Sequence, residues 1–148
     1  MIGIVKKNIL FFTIRLFFRK FAPYFLTMAE HNILGKIGED EAVRFLMAKG
    51  YVIRHRDWRC GKKDLDIVAE KDHELIIVEV KTRTDERFGS PEDAVTPVKI
   101  RRIIASTEAY LQTFELDMPV RFDIVSVTGK TPPFHIEHIM NAFYPPIW

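Results

Sequence analysis

The stretch Leu75-Ile76-Ile77-Val78-Glu79-Val80-Lys81-Thr82 constrains this chain more than any other. A short run of apolar, β-branched residues without Gly or Pro predicts a strand. Alternate side chains of a strand point to opposite faces. Leu75, Ile77, Glu79 and Lys81 therefore share one face, and Ile76, Val78, Val80 and Thr82 share the other. A strand this apolar is expected to be buried on both sides. Burying an isolated charge is very costly unless the charge is paired or binds a metal. Glu79 and Lys81 therefore need partners.

The run before it, Asp64 to Glu70, alternates as well, with Asp64, Asp66, Val68 and Glu70 on one face. Between the runs lies the polar turn Lys71-Asp72-His73-Glu74. With Asp72 and His73 as central residues, an antiparallel hairpin sets Glu70 opposite Leu75, Val68 opposite Ile77, Asp66 opposite Glu79 and Asp64 opposite Lys81. Directly opposed Cβ atoms lie roughly 5 Å apart, so three carboxylates and one lysine converge. A one-residue slip would separate them onto opposite faces, and Asp-His is not a favoured two-residue turn sequence. Opposed carboxylates repel unless something positive lies between them. Mg²⁺, or Mn²⁺ in its place, suits such a patch: Mg²⁺ takes hard oxygen ligands, usually one or two carboxylates, and leaves water and phosphate to complete its shell. Lys81 is placed to orient or deprotonate an attacking water. A solvated face with cross-strand ion pairs is the alternative that needs no chemistry.

Asp66, a short hairpin and Glu79-Val80-Lys81 resemble the PD-(D/E)xK nuclease signature. Gly35-Lys36-Ile37-Gly38-Glu39, Ala42, Leu46 and Gly50-Tyr51 extend the likeness. So do Trp58-Arg59-Cys60, Asp64-Leu65-Asp66, Lys81-Thr82-Arg83, Phe88-Gly89-Ser90-Pro91 and Ala94-Val95-Thr96-Pro97. In this order the motifs resemble the YraN family of uncharacterised bacterial proteins with an endonuclease-like fold, from about residue 33 to Phe143. The resemblance implies a fold shared with archaeal Holliday-junction resolvases and type II restriction enzymes. It implies a catalytic set of Glu39, Asp66, Glu79 and Lys81, with Asp66 and Glu79 as metal ligands. It does not imply a demonstrated reaction. Asp64 stands where the family pattern has Glu; the swap keeps the charge but shortens the reach, so Asp64 is given no ligand role.

Elsewhere the chain reads as one ordinary domain, 47% hydrophobic and 28% charged. Its net charge of +2 is too small to argue for a polyanion partner by itself. A single cysteine, Cys60, excludes an internal disulfide and fits a reducing, cytoplasmic compartment. Residues 1–27 carry no acid and five basic residues, Lys6, Lys7, Arg15, Arg19 and Lys20. A membrane span needs about 20 nearly uncharged residues, which these charges interrupt, so no stable membrane insertion is expected. The favoured expectation is translation from Met28, with a membrane-peripheral extension as its rival.

A first helix is expected over Asn32–Lys49, with Val43, Leu46, Met47 and Glu39 turned inward and Gly35 and Gly38 allowing close backbone approach. Tyr51 to Arg59 reads as a strand leading to a basic loop. Arg54, Arg56, Trp58, Arg59, Lys62, Lys63 and, further on, Arg83 are the expected nucleic-acid contacts, because cations interleaved with an aromatic suit phosphate and base. His55 and His73 are expected to face solvent. Thr96-Pro97 opens a second helix with the stripe Ile100, Ile103, Ile104, Thr107, Leu111 and Phe114, running to Asp117-Met118-Pro119. Lys99, Arg101 and Arg102 near its start oppose the helix dipole and face either phosphate or solvent. Strands follow at Val120–Val127 and Phe134–Ile139; His135 and His138 are expected to be structural, and Asp123 is given no role.

The order is αβββαβ plus a C-terminal strand: an α/β, restriction-endonuclease-like core with a mixed sheet flanked by helices. The leading expectation is a Mg²⁺-dependent endonuclease-like phosphodiesterase, on DNA in preference to RNA. The alternative is a non-catalytic nucleic-acid-binding module of the same fold. A homodimer is left open.

Overall fold

The structure is a computed structural model, and it describes residues 27–85, 89–91, 93 and 95–145. The N-terminal segment 1–26, Glu86, Arg87, Phe88, Glu92, Ala94 and the tail from Pro146 lie outside the described residues. The chain divides into two compact units, Met1–Leu34 and Gly35–Trp148. Of the first, the described residues 27–34 are helical. All five strands belong to the second.

Helix α1 (residues 27–48) precedes β1 (Val52–Cys60), β2 (Lys63–Lys71), β3 (Glu74–Arg83), α2 (Pro97–Thr113), β4 (Val120–Thr128) and β5 (His135–Ile139). The strands form one sheet in the order β1-β2-β3-β4-β5. Every neighbouring pair is antiparallel except β3 and β4, which run parallel. A parallel pair needs a crossover, and α2 supplies it. This is the expected mixed sheet between helices, in the expected order.

Each sheet face carries its own core. On one, Ala42, Val43 and Leu46 of α1 pack with Ile67, Ile76, Val78, Val125 and Val127. On the other, Ile103 and Tyr110 of α2 pack with Val68, Leu75, Ile77, Phe122 and Ile124. The expected stripes shift slightly. Met47 is exposed, because the α1 stripe centres on Ala42 and Leu46 and Met47 lies about 100° further round. In α2 the fully buried residue is Tyr110, with Ser106 and Thr107 beside it. The helix stops at Thr113, where Phe114 caps it and Glu115 takes a left-handed φ of 51°.

Close approach of α1 to the sheet rests on Gly38. A Cβ there would lie 1.9 Å from Thr82 Oγ1 and 2.9 Å from Thr82 Cβ. Gly35 meets nothing within 4 Å, so the expected tight contact exists at only one of the two glycines.

The α1 face also holds a buried ionic cluster. Asp123 is fully buried and accepts from Arg121 Nε at 2.9 Å, Arg121 Nη2 at 2.8 Å and the Asn141 N–H at 3.1 Å. His138 Nε2 lies 2.8 Å from it. Arg121 reaches on to Glu74 and to the Tyr51 hydroxyl. Burial pushes the Asp123 carboxyl up, but hydrogen bonds from His138, Arg121 and Asn141 outweigh it and hold the group below the usual range. Asp123, left without a role in the sequence, ties β4 to β5 and to the turn at Asn141. His138 is structural, as expected.

Substituting Gly38→Ala should destabilise the fold by about 1–3 kcal/mol through overpacking against Thr82. Gly35→Ala should be neutral or stabilising, by up to about 1 kcal/mol, because Ala has the better helix propensity. Urea denaturation of the two variants beside the parent chain measures this, and equal midpoints for the variants would contradict the packing.

Candidate active site

The hairpin forms in the expected register: Glu70 opposes Leu75, Val68 opposes Ile77 and Ile67 opposes Val78. Asp72 and His73 adopt φ of 52° and 62°, the left-handed pair of a type I′ turn, which matches the twist of the strands. Asp tolerates that region better than most residues, so the unusual turn sequence still closes.

Beyond Ile67–Val78 the ladder stops. The Val80 N–H donates to Asp66 Oδ2 at 2.9 Å instead of to the backbone of β2. A carboxylate has replaced a strand carbonyl, and β2 separates from β3 where the charged residues begin. Asp64 consequently pairs with Arg59 of β1 and is exposed. The expected opposition of Asp64 to Lys81 does not occur.

Glu79 is buried, its side chain 6% exposed. Its Oε1 accepts from Lys81 Nζ at 2.8 Å, and its Oε2 lies 3.3 Å from Lys99 Nζ. Asp66 stands close enough to feel the same charges. Burial pushes its carboxyl up to about 7; the negative charges of Glu79 and Glu39 push the same way, against the Val80 hydrogen bond and Lys99. Glu39, on α1, is partly exposed and lies 3.7 Å from Lys36. The expected Glu39, Asp66, Glu79 and Lys81 thus belong to one electrostatic cluster.

Lys99 is the member that sequence reasoning did not single out. The Thr96 hydroxyl accepts from the Lys99 N–H at 3.2 Å and caps α2, with Pro97 in its first turn. That cap fixes where the third residue of the helix goes. Burial disfavours the Lys99 charge, but Glu79, Asp66 and Asp64 outweigh it and raise its pKa. The signal in the sequence was a cation placed against the helix dipole.

The expected nucleic-acid contacts divide. Trp58 is corrected: it is 9% exposed and packs edge-on to Tyr110, with centroids 5.2 Å apart, inside the core rather than as an exposed stacking platform. Asp57, just before it, takes a left-handed φ of 46°. Arg54 pairs with Glu70 at 2.9 Å, Arg56 with Asp40, and Arg59 with Asp57 at 3.0 Å. Arg83 donates to the carbonyls of Gly89 and Ser90 at 2.5 and 3.1 Å. Lys62 and Lys63 are exposed at the β1–β2 turn. His73 is exposed, but His55 lies 2.6 Å from the Tyr110 hydroxyl rather than facing solvent.

Comparison with known proteins places this cluster in a family. The profile of uncharacterised protein family UPF0102 matches residues 38–127, a span that holds Glu39, Asp66, Glu79, Lys81 and Lys99. The chain belongs to this family. A UPF0102 protein of Phocaeicola vulgatus is 67% identical over 121 residues, 82% of this chain and all of the relative. UPF0102 proteins of Bacteroides fragilis and Bacteroides thetaiotaomicron are 61% and 54% identical over the same share of both chains. The YraN resemblance read from the motifs is this family.

The UPF0102 cluster has the donor chemistry of a hard-cation site: the carboxyl oxygens of Asp66 and Glu79, with the ammonium groups of Lys81 and Lys99 against Glu79. Among the described residues no three His, Cys, Asp or Glu stand close enough to enclose a metal. An ion here would take one or two carboxylates and complete its shell with water and phosphate, the habit of Mg²⁺. Also among the described residues, no helix is long and apolar enough to cross a membrane.

The raised carboxyl predicts how the stability of this UPF0102 protein varies with pH. Folded Asp66 keeps its proton up to about pH 7, whereas the unfolded group loses it near 3.8. Between those values the folded state binds more protons, so stability falls as pH rises. Asp66→Asn should flatten this decline and exceed the parent chain by at least about 1 kcal/mol above pH 7. Denaturation midpoints across the range measure it, and an unchanged slope in the variant would contradict the assignment.

Proposed function

We propose that this UPF0102 protein is a Mg²⁺-dependent phosphodiesterase of the endonuclease type, acting on nucleic acid. The observation that carries the reading is Glu79, nearly buried between Lys81 and Lys99, with the partly buried Asp66 beside it. Oxygen donors and ammonium groups in one patch suit a phosphodiester, which needs both a hard cation and neutralisation of its own charge. Mg²⁺ or Mn²⁺, when bound, lowers the pKa of bound water and offsets charge on the phosphoryl oxygens. Asp66 and Glu79 are the ligands in this reading, and Asp66 must lose its proton to serve, so acid disfavours loading. Lys81 orients or deprotonates the attacking water. Lys99 meets the charge that develops on the phosphoryl group. Glu39 supports the cluster from α1. DNA is the favoured substrate by analogy with the nuclease fold alone.

A second reading, a nucleic-acid-binding module without turnover, draws on one observation. Both Glu79 oxygens are already engaged by ammonium groups, so the pair can persist as a structural ion cluster.

Labelled single-stranded, duplex, flap and four-way-junction DNA, with structured RNA, incubated with Mg²⁺, Mn²⁺ or chelator, separate the two. The phosphodiesterase reading expects metal-dependent cutting abolished in Asp66→Ala and Lys81→Ala, and reduced at least about tenfold in Lys99→Gln, the loss of one charge-stabilising group. Undiminished cutting by Lys81→Ala would sink the mechanism. Salt-sensitive, metal-independent binding without cutting would establish the second reading.

A further inference from the structure

Next to the candidate site, on the same face of the sheet, lies a pocket of about 280 Å³ that the proposed mechanism does not use. Its floor follows from the strand register. Lys81 pairs with Ser126, which pairs with Glu137; two residues on, Arg83 pairs with Thr128, which pairs with His135. Except for Lys81, every residue of these two rows lines the pocket, and Gly89 and Pro91 close it from the loop after β3. Glu79 sits one row back, paired with Ile124. Two strand residues advance about 6.6 Å, roughly the reach of one nucleotide along an extended strand. Whatever occupies the pocket is therefore the immediate neighbour of a phosphate held at Glu79 and Lys81.

The lining says what that neighbour is. A phosphate needs free cations, yet the Arg83 guanidinium is turned to the carbonyls of Gly89 and Ser90, and Glu137 repels an anion. The remaining groups are hydroxyls, an imidazole and a carboxylate, which suit the hydrogen-bonding edge of a nucleobase. Ser126 is 4% exposed and lines the pocket.

We propose that this pocket takes a single unpaired base flanking the phosphate bound at Glu79 and Lys81. The proposal rests on the phosphodiesterase reading and narrows its substrate to strands with an unstacked nucleotide beside the cut: single strands, flaps, bulges or junctions rather than unbroken duplex. Chemistry beside an extruded base follows the same logic as base flipping, where a base leaves the stack for a fitted pocket.

The test uses the full chain with Mg²⁺ and a set of flap and single-stranded oligonucleotides, each with an abasic residue at a different position near the cut. At one flanking position the abasic residue should lower kcat/KM about tenfold or more, the order expected for losing one base contact. In the double variant Ser126→Ala, Glu137→Ala the penalty should fall below about twofold, because the contacts it removes are already gone. Cutting indifferent to abasic residues at every position, or a penalty unchanged in the double variant, would overturn the pocket while leaving the phosphodiesterase standing. If nothing is cut, the phosphodiesterase reading fails instead, and anisotropy of the same oligonucleotides in chelator decides the pocket. Equal affinity for intact and abasic strands then overturns it; a loss that disappears in the double variant supports it.

Discussion

The bond from the Val80 N–H to the Asp66 carboxylate is the constraint on which the rest of the candidate site depends. Backbone donors must be satisfied, and a sheet normally does so by extending its ladder. Here a side chain satisfies the donor, and β2 is released from β3 without leaving that N–H unpaired. The separation creates room at the sheet's end while β3 keeps its parallel partner β4 as far as Arg83–Thr128. Glu79 and Lys81 stay on a rigid strand at the point where it has lost β2.

Two helices complete the arrangement by their first described turns in this unit. Gly38 brings α1 against Thr82, and Glu39 follows it. The Thr96 cap fixes the start of α2, and Lys99 follows at the third position. In both cases a local device sets where a long side chain can reach. The result is a set of charges drawn from four elements, none of which is a long loop.

Much of this was legible because strands have a period of two. Register follows from the turn, and the faces of Glu79 and Lys81 follow from register. The end of the ladder was not legible, since nothing in an alternating pattern says which carboxylate will take a backbone donor; that is why Asp64 was set opposite Lys81. Trp58 was misread because an aromatic among cations suits base stacking, whereas its ring packs on Tyr110 in the core. Tyr110 lay outside the expected stripe, yet it is fully buried with its hydroxyl 2.6 Å from His55. Lys99 was visible as an anomaly in dipole terms, yet its partner Glu79 lies on another element, far back along the chain. The order of the elements, the end of α1 and the cap of α2 were readable from the apolar runs, Gly50 and Thr96-Pro97, whereas the end of α2 was not, because it stops at Thr113.

The ionic clusters on the two faces of the sheet differ in kind. Around Asp123 every charge is matched, and burial is compensated by hydrogen bonds. Around Asp66 burial, with the negative charge of Glu79 beside it, leaves the carboxyl holding its proton up to about pH 7. In the language of energy landscapes, one cluster is minimally frustrated and the other is locally frustrated. Selection for heat resistance alone would therefore spare Asp123 and erode Asp66 and its neighbours, so a thermostabilised descendant of this chain would lose the candidate site before it lost the fold.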